Sequence, residues 1–175
     1  MWLCIVERWN GVSMFLDNTH TDIQTVNVTT DSSRYGFGGY NKNTGNYFLG
    51  EWKDYLPSVD YKNCSMALLE LYPIVLSANL WGSQWSRKRI IFHCDNLATV
   101  HIINRKRSKC PIIMKLIRKL TIDAALNNFD YTSIWLSSQK NALSDALSRG
   151  NLFFFQESAP TAAPHPERIP DLFIF

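Results

Sequence analysis

Four carboxylates stand where a chain could turn them to chemistry: Asp31, Glu70, Asp95 and Asp145. Glu70 is the only charged residue between Ser65 and Trp81, in a segment where Met66, Leu69, Leu76 and Leu80 recur at helical spacings. An ionised carboxylate among aliphatic neighbours costs roughly several kcal/mol unless a cation or a hydrogen-bond donor meets it. Asp31 follows a β-branched run and Asp95 a short apolar one, so each stands at a strand end, the place where open sheets present ligand-binding groups. Taken singly, each has a plainer reading. Turn chemistry explains Asp31 and Asp95 equally well, Asp145 suits the first turns of a helix, and Glu70 could face solvent. Together the four offer hard oxygen ligands from separate elements, as a pair of magnesium ions requires.

The elements that must position them follow from periodicity and punctuation. Gln24 to Thr30 reads as a strand, and Tyr35 to Tyr40 and Tyr47 to Trp52 as two more, joined by an Asn43-Thr44-Gly45 turn. These three form an antiparallel meander. The pattern turns helical from Ser65 to Trp81, with Pro73 expected to kink the helix. Arg89 to Cys94 gives a fourth strand, Leu97 to Asn104 a short helix, and Pro111 opens a longer helix with the stripe Ile112, Leu116, Leu120 and Ala124. Tyr131 to Leu136 is a fifth strand, and Asn141 is placed to cap a last helix from Ala142 to about Arg149. This order implies an α/β fold: a five-stranded mixed sheet, meander first and parallel strands 4 and 5 after it, with helices on both faces.

The 175 residues, 46% hydrophobic, suffice for one full core, and Ala159 to Pro170, with four prolines, reads as an extended tail leaving the domain. Cys4, Cys64, Cys94 and Cys110 show no zinc-ligand spacing and read as reduced thiols of an intracellular protein, cytoplasmic or nuclear. With no apolar run near the length of a bilayer span and no signal-peptide pattern, a soluble protein without a membrane partner is expected, and the Asn27 and Asn63 glycosylation patterns are chance matches. Net charge is only +3, yet ten of the eighteen basic residues fall between Arg87 and Lys119, where the only acid is Asp95. Such clustering is the footprint of a partner with a phosphate backbone, since a merely solvated surface mixes both signs.

With these residues in place, the sequence resembles the ribonuclease H superfamily from roughly Gln24 to Arg149. Thr30-Asp31-Ser32-Ser33, Glu70-Leu71 and Cys94-Asp95-Asn96 resemble three of its blocks, and Asn141-Ala-Leu-Ser-Asp145-Ala-Leu-Ser-Arg149 resembles the ending found in retrotransposon ribonucleases H. Glu70-Leu-Tyr-Pro-Ile-Val-Leu, Leu80-Trp-Gly-x-x-Trp85 and His93-Cys-Asp-Asn96 are similar to the polymerase polyproteins of tyrosine-recombinase retrotransposons, the DIRS and Ngaro groups. Trp9-Asn10-Gly11-Val12-Ser13 resembles the link from the reverse transcriptase, so residues 1–22 are expected to be a connection segment, 23–150 the ribonuclease H-like domain and 151–175 a Pro-rich tail. The chain then reads as a fragment or descendant of such a polyprotein.

The resemblance implies hydrolysis of the RNA strand of an RNA/DNA hybrid by two Mg2+ ions, with Mn2+ as a substitute and no small-molecule cofactor. It makes Asp31 the shared ligand, places Asp145 at one ion and Glu70 with Asp95 at the other, and makes the reverse transcriptase domain a partner. Ser33, Asn96, Arg105, Lys106, Arg107, Lys109 and Asn141 are the expected nucleic-acid contacts. Departures from the family pattern are also visible. Leu136-Ser-Ser-Gln-Lys140 lacks the His of cellular enzymes, Ser137-Ser138 replaces a Pro-Gly turn, and the basic loop Arg105 to Lys109 is short. The alternative is a catalytically impaired scaffold of the same fold that grips nucleic acid. His93 shares the side-chain parity of Asp95, but hard magnesium prefers oxygen, so a packed or solvent-touching histidine is expected there.

Overall fold

A computed structural model describes residues 24–55 and 61–170. The expected connection segment, Cys4 and the last five residues lie outside the described residues. Strands β1 (Thr25–Ser32), β2 (Gly36–Asn41) and β3 (Tyr47–Glu51) pair antiparallel in sequence order, and β4 (Arg89–Cys94) and β5 (Asp130–Trp135) add in parallel on the other side of β1. The order across the sheet is therefore β3-β2-β1-β4-β5. A short helix, α1 (Trp52–Tyr55), follows β3; α2 (Met66–Trp81) precedes β4, and α3 (Leu97–Arg105) and α4 (Pro111–Asn127) link β4 to β5. After β5 come α5 (Ala142–Ser148) and α6 (Leu152–Ser158).

Two apolar clusters sandwich the sheet. The larger joins Val26, Val28, Phe37, Phe48, Ile90 and Phe92 to α2 and α4. The smaller joins Tyr40 and Tyr47 to Ala146, Leu147 and Phe155 of the last two helices. The alternation of Phe37 and Tyr40 between faces is the period of two that a strand covered on both sides must show. On α2, every residue from Leu68 to Ala78 is buried, so the helix has no solvated stripe. Ser65 caps it by accepting from the Leu68 N–H.

The helix continues through Pro73, where the sequence suggested a kink. Proline has no N–H for the carbonyl four residues earlier, which here belongs to Leu69. The Ser32 hydroxyl at the end of β1 donates to that carbonyl at 2.8 Å. A helical defect thus becomes a weld between α2 and β1, one residue away from both Glu70 and Asp31.

The chain after Arg149 is not an unpacked extension. Phe155 is fully buried against Tyr40 and Tyr47, with ring centroids 5.4 and 4.6 Å away. Beyond α6 the chain follows the β3 side of the sheet: the N–H of Ala163 donates to the Gly45 carbonyl, that of Glu167 to the Tyr47 carbonyl, and Ile169 enters the larger cluster. Proline-rich composition suggested an extended linker; the segment instead turns at Ala159 to Ala162 and packs, its Ala163 and Glu167 donors covering an otherwise open sheet edge.

Candidate active site

The C-terminal ends of the central strands β1 and β4, the start of α2 and α5 come together, and each contributes one of the four carboxylates. Asp31 is 5% exposed. Its Oδ2 accepts from the Ser148 hydroxyl at 2.6 Å and its Oδ1 from the Asn141 amide at 3.3 Å. Burial raises its carboxyl to about 6, Asp95 and Asp145 push the same way, and the Ser148 hydrogen bond and Arg149 oppose them. Glu70 is 3% exposed and pushed up to about 9, first by burial and then by the charges of Asp31 and Asp95. Hydrogen bonds from the Ser32 backbone and the Cys94 thiol only partly offset this.

Asp95 and Asp145 are partly exposed. The Ser138 hydroxyl donates to Asp95 Oδ2 at 2.8 Å, and the indole N–H of Trp135 donates to the Asp95 carbonyl at 2.9 Å. Asp145 pairs with Arg149 at 2.8 Å, one helical turn along α5. The tightest group is Glu70, Cys94 and Asp95, with one ligand atom from each lying within 4.8 Å of the others. Asp31 lies outside that group but close enough to raise Glu70 and Cys94 electrostatically, and Asp145 acts in turn on Asp31. Burial and the neighbouring carboxylates push the Cys94 thiol far up, so it keeps its proton and donates a hydrogen bond to Glu70 at 3.7 Å.

Close backbone approach sets the position of α5. A Cβ on Gly38 would lie 2.4 Å from Leu147 Cβ, and one on Gly36 would lie 3.2 Å from the Ser148 carbonyl and collide with Gly50. Only glycine at these positions lets α5 lie against β2 closely enough for Ser148 to reach Asp31.

Two expected nucleic-acid contacts do other work. Ser33 is 8% exposed; its hydroxyl donates to the Ser148 carbonyl and accepts from the N–H groups of Tyr35 and Gly36, closing the β1–β2 turn. Asn141 is 1% exposed and makes no side-chain cap: its Nδ2 donates to Asp31 and to the Thr30 carbonyl, and its Oδ1 has no hydrogen-bond partner among the described residues. Asn96 caps α3 by accepting from the Thr99 N–H. Arg105, Lys106, Arg107 and Lys109 are exposed, with the Lys106 ammonium 4.8 Å from the Tyr131 ring centre. His93 bonds to the Asn27 side chain, and burial lowers its basicity. Sequence reasoning overlooked Ser32, Ser138 and Ser148 as supports of the carboxylates. The spacing of Ser148, three residues after Asp145 on a short helix, was the available signal.

The carboxylate oxygens suit a hard divalent cation, and the raised Asp31 and Glu70 show a cluster short of positive charge. Among the described residues, no helix is long and apolar enough to cross a membrane. No protein-family model matches the chain, and no curated protein sequence matches it. Solved structures do. It is similar to the N-terminal RNase H domain of Rv2228c from Mycobacterium tuberculosis, solved fused to maltose-binding protein, with 14% identity over 78% of this chain and 99% of that one and a TM-score of 0.51. RNase H1 from the halophilic archaeon Halobacterium salinarum overlaps 74% of this chain and 98% of its own at 13% identity, with a TM-score of 0.49. The mixed five-stranded sheet, its strand order and its helices on both faces are those of a ribonuclease H-like fold.

Proposed function

We propose that this chain hydrolyses the RNA strand of RNA/DNA hybrids with two divalent metal ions, magnesium by preference and manganese as a substitute, as the ribonuclease H part of a retroelement reverse transcriptase. The observation that carries this reading is the gathering of four carboxylates from four elements, two of them buried with raised pKa values. Burying mutually repelling acids opposes folding, and a bound cation reverses the sign of that effect. The two ions, when bound, would supply a hydroxide-like nucleophile near neutral pH and stabilise the departing 3′-oxygen. Asp31, Glu70, Asp95 and Asp145 would hold these ions, Asp31 being the ligand expected to be shared.

The remaining work belongs to the chain itself. Ser148 and Asn141 orient Asp31, Ser138 orients Asp95, and the Ser32 backbone with Cys94 orients Glu70. Such supporting bonds fix carboxylates in the rotamers that coordination needs. Arg105, Arg107 and Lys109 offer cations for phosphates, and selection of a hybrid over other duplexes would come from groove shape and 2′-hydroxyls.

One observation favours a scaffold that grips nucleic acid without cutting it: Arg149 already neutralises Asp145. Incubating the chain with a labelled hybrid and magnesium, beside Asp31→Asn and Asp95→Asn controls, separates the two. Cleavage by the unmodified chain alone supports the hydrolase; binding without cleavage supports the scaffold; cleavage that survives both substitutions defeats the proposed site.

A further inference from the structure

Trp135 is an exposed aromatic beside the carboxylates that the chemistry above leaves unused. Trp52, Trp81 and Trp85 are almost wholly buried, whereas Trp135 is 51% exposed. An indole left half in water forgoes a large apolar contribution to folding unless something else covers it. Its register partner is Cys94, and its N–H is tied to the Asp95 carbonyl, so the ring is fixed relative to the site. Leu97, just beyond Asp95, is likewise 54% exposed.

The surroundings select the kind of occupant. Trp135, Ser133 and Tyr131 share one face of β5, and α3 is bound to that strand through the Asn104 contacts to Ser133 and the Lys106 contact to Tyr131. At about 3.3 Å per residue, Lys106 at Tyr131 lies about 13 Å along the strand from Trp135. A nucleic-acid duplex advances about four nucleotides over that length. An aromatic beside the carboxylates at one end of this strip and the Arg105 to Lys109 cations at the other suit a polyanion better than an apolar protein surface. In an A-like duplex, the groove shallow enough to be touched displays sugars.

Resting on the hydrolase reading, we propose that Trp135 is a substrate-contacting residue: its open face packs against a sugar of the hybrid next to the scissile phosphate, and the tether to Asp95 keeps that contact in register with the carboxylates. The test uses the whole chain for steady-state cleavage and an Asp31→Asn background for hybrid affinity by fluorescence anisotropy, with Trp135→Ala and Trp135→Phe in each.

Trp135→Ala should weaken binding and raise KM about tenfold, the scale of losing one aromatic contact to a nucleotide, while kcat changes less than about threefold. Trp135→Phe keeps a ring without the N–H and should bind within about threefold of the parent. Thermal melts of both variants should match the parent, because the side chain is half exposed. Unchanged affinity in Trp135→Ala overturns the contact. So does an equal fall in kcat for both variants at constant KM, which would make Trp135 only a positioning residue for Asp95. Hybrid binding without cleavage, lost on Trp135→Ala, keeps the contact and retires the hydrolase. A parent chain that binds no hybrid removes both.

Discussion

Asp31 and Glu70 are sealed within the protein, while Asp95 and Asp145 keep part of their surface in water, and the two pairs are restrained differently. The buried pair is held by groups from the core: Ser148, Asn141, the Ser32 backbone and Cys94. The outer pair is held by Ser138 and Arg149, whose own side chains are exposed. Water can share the charge of the outer pair, whereas the inner pair meets neutral donors and other acids, with only the distant pull of Arg149 on Asp31 against them. The inner carboxylates therefore oppose the cation-free fold and gain most from a metal ion, while the outer ones are close to neutral for stability.

The largest effect should come from removing charge. Asp31→Asn and Glu70→Gln should each lower hybrid cleavage roughly a thousandfold or more, as expected when one member of a site acting as a unit is lost. In chelator, Glu70→Gln should also raise the melting temperature. Asp145→Asn should lose comparable activity without that gain, since it gives up only a partly exposed ion pair worth about 0–1 kcal/mol. Equal stabilisation by Glu70→Gln and Asp145→Asn would erase the distinction between the pairs.

Phe155→Ala strikes the half of the site that hangs on α5. Its ring fills the smaller cluster beside Leu147, so truncation should cost about 3–5 kcal/mol of stability by denaturant titration. Cleavage measured below the new melting point should fall as Asp145 and Ser148 lose their seating, and added Mg2+ should recover less of it than in the parent.

The pH dependence follows from the two raised acids. Each has a folded pKa above its unfolded value, from 3.8 to about 6 for Asp31 and from 4.5 to about 9 for Glu70. Their contribution to stability is fully present below the unfolded value and is lost as pH rises towards the folded one. In chelator, the stability gap between Glu70→Gln and the parent should therefore widen from pH 5 to pH 8, by at most about 1.4 kcal/mol per pH unit. Divalent cation should narrow the gap most at pH 8. A gap that stays constant with pH would mean that Glu70 is better solvated than its burial implies.

Much of this arrangement was legible in the chain because local and global signals agree. Arg89 to Cys94 is a strand with the expected limits, Pro111 opens α4, and Ser65 stands at the cap of α2. Glu70 could be singled out since a lone charge in an apolar helix needs a partner. What escaped were contacts between residues distant in sequence. Asn141 has the side chain of a helix cap, and nothing local shows that Asp31, 110 positions earlier, takes its amide. Pro73 should disturb a helix by every local rule, and only the Ser32 hydroxyl, 37 positions from Leu69, explains its tolerance. The strap from Ala159 to Pro170 has a linker's composition, while its packing depends on a sheet edge that no local pattern reveals.

The smallest effects test the supports rather than the carboxylates. Ser148→Ala removes the short bond to Asp31 inside the protein, where no water replaces it, and should lower cleavage about tenfold, the lower end for loss of a group that orients a metal ligand. Ser138→Ala removes an exposed donor to Asp95, and water can take its place, so the loss should stay within roughly threefold. Initial rates on one hybrid at saturating Mg2+ compare them directly. The reverse order would show that the site is tuned from its solvent side, through the Ser137-Ser138 turn, and that the buried donors serve the fold alone.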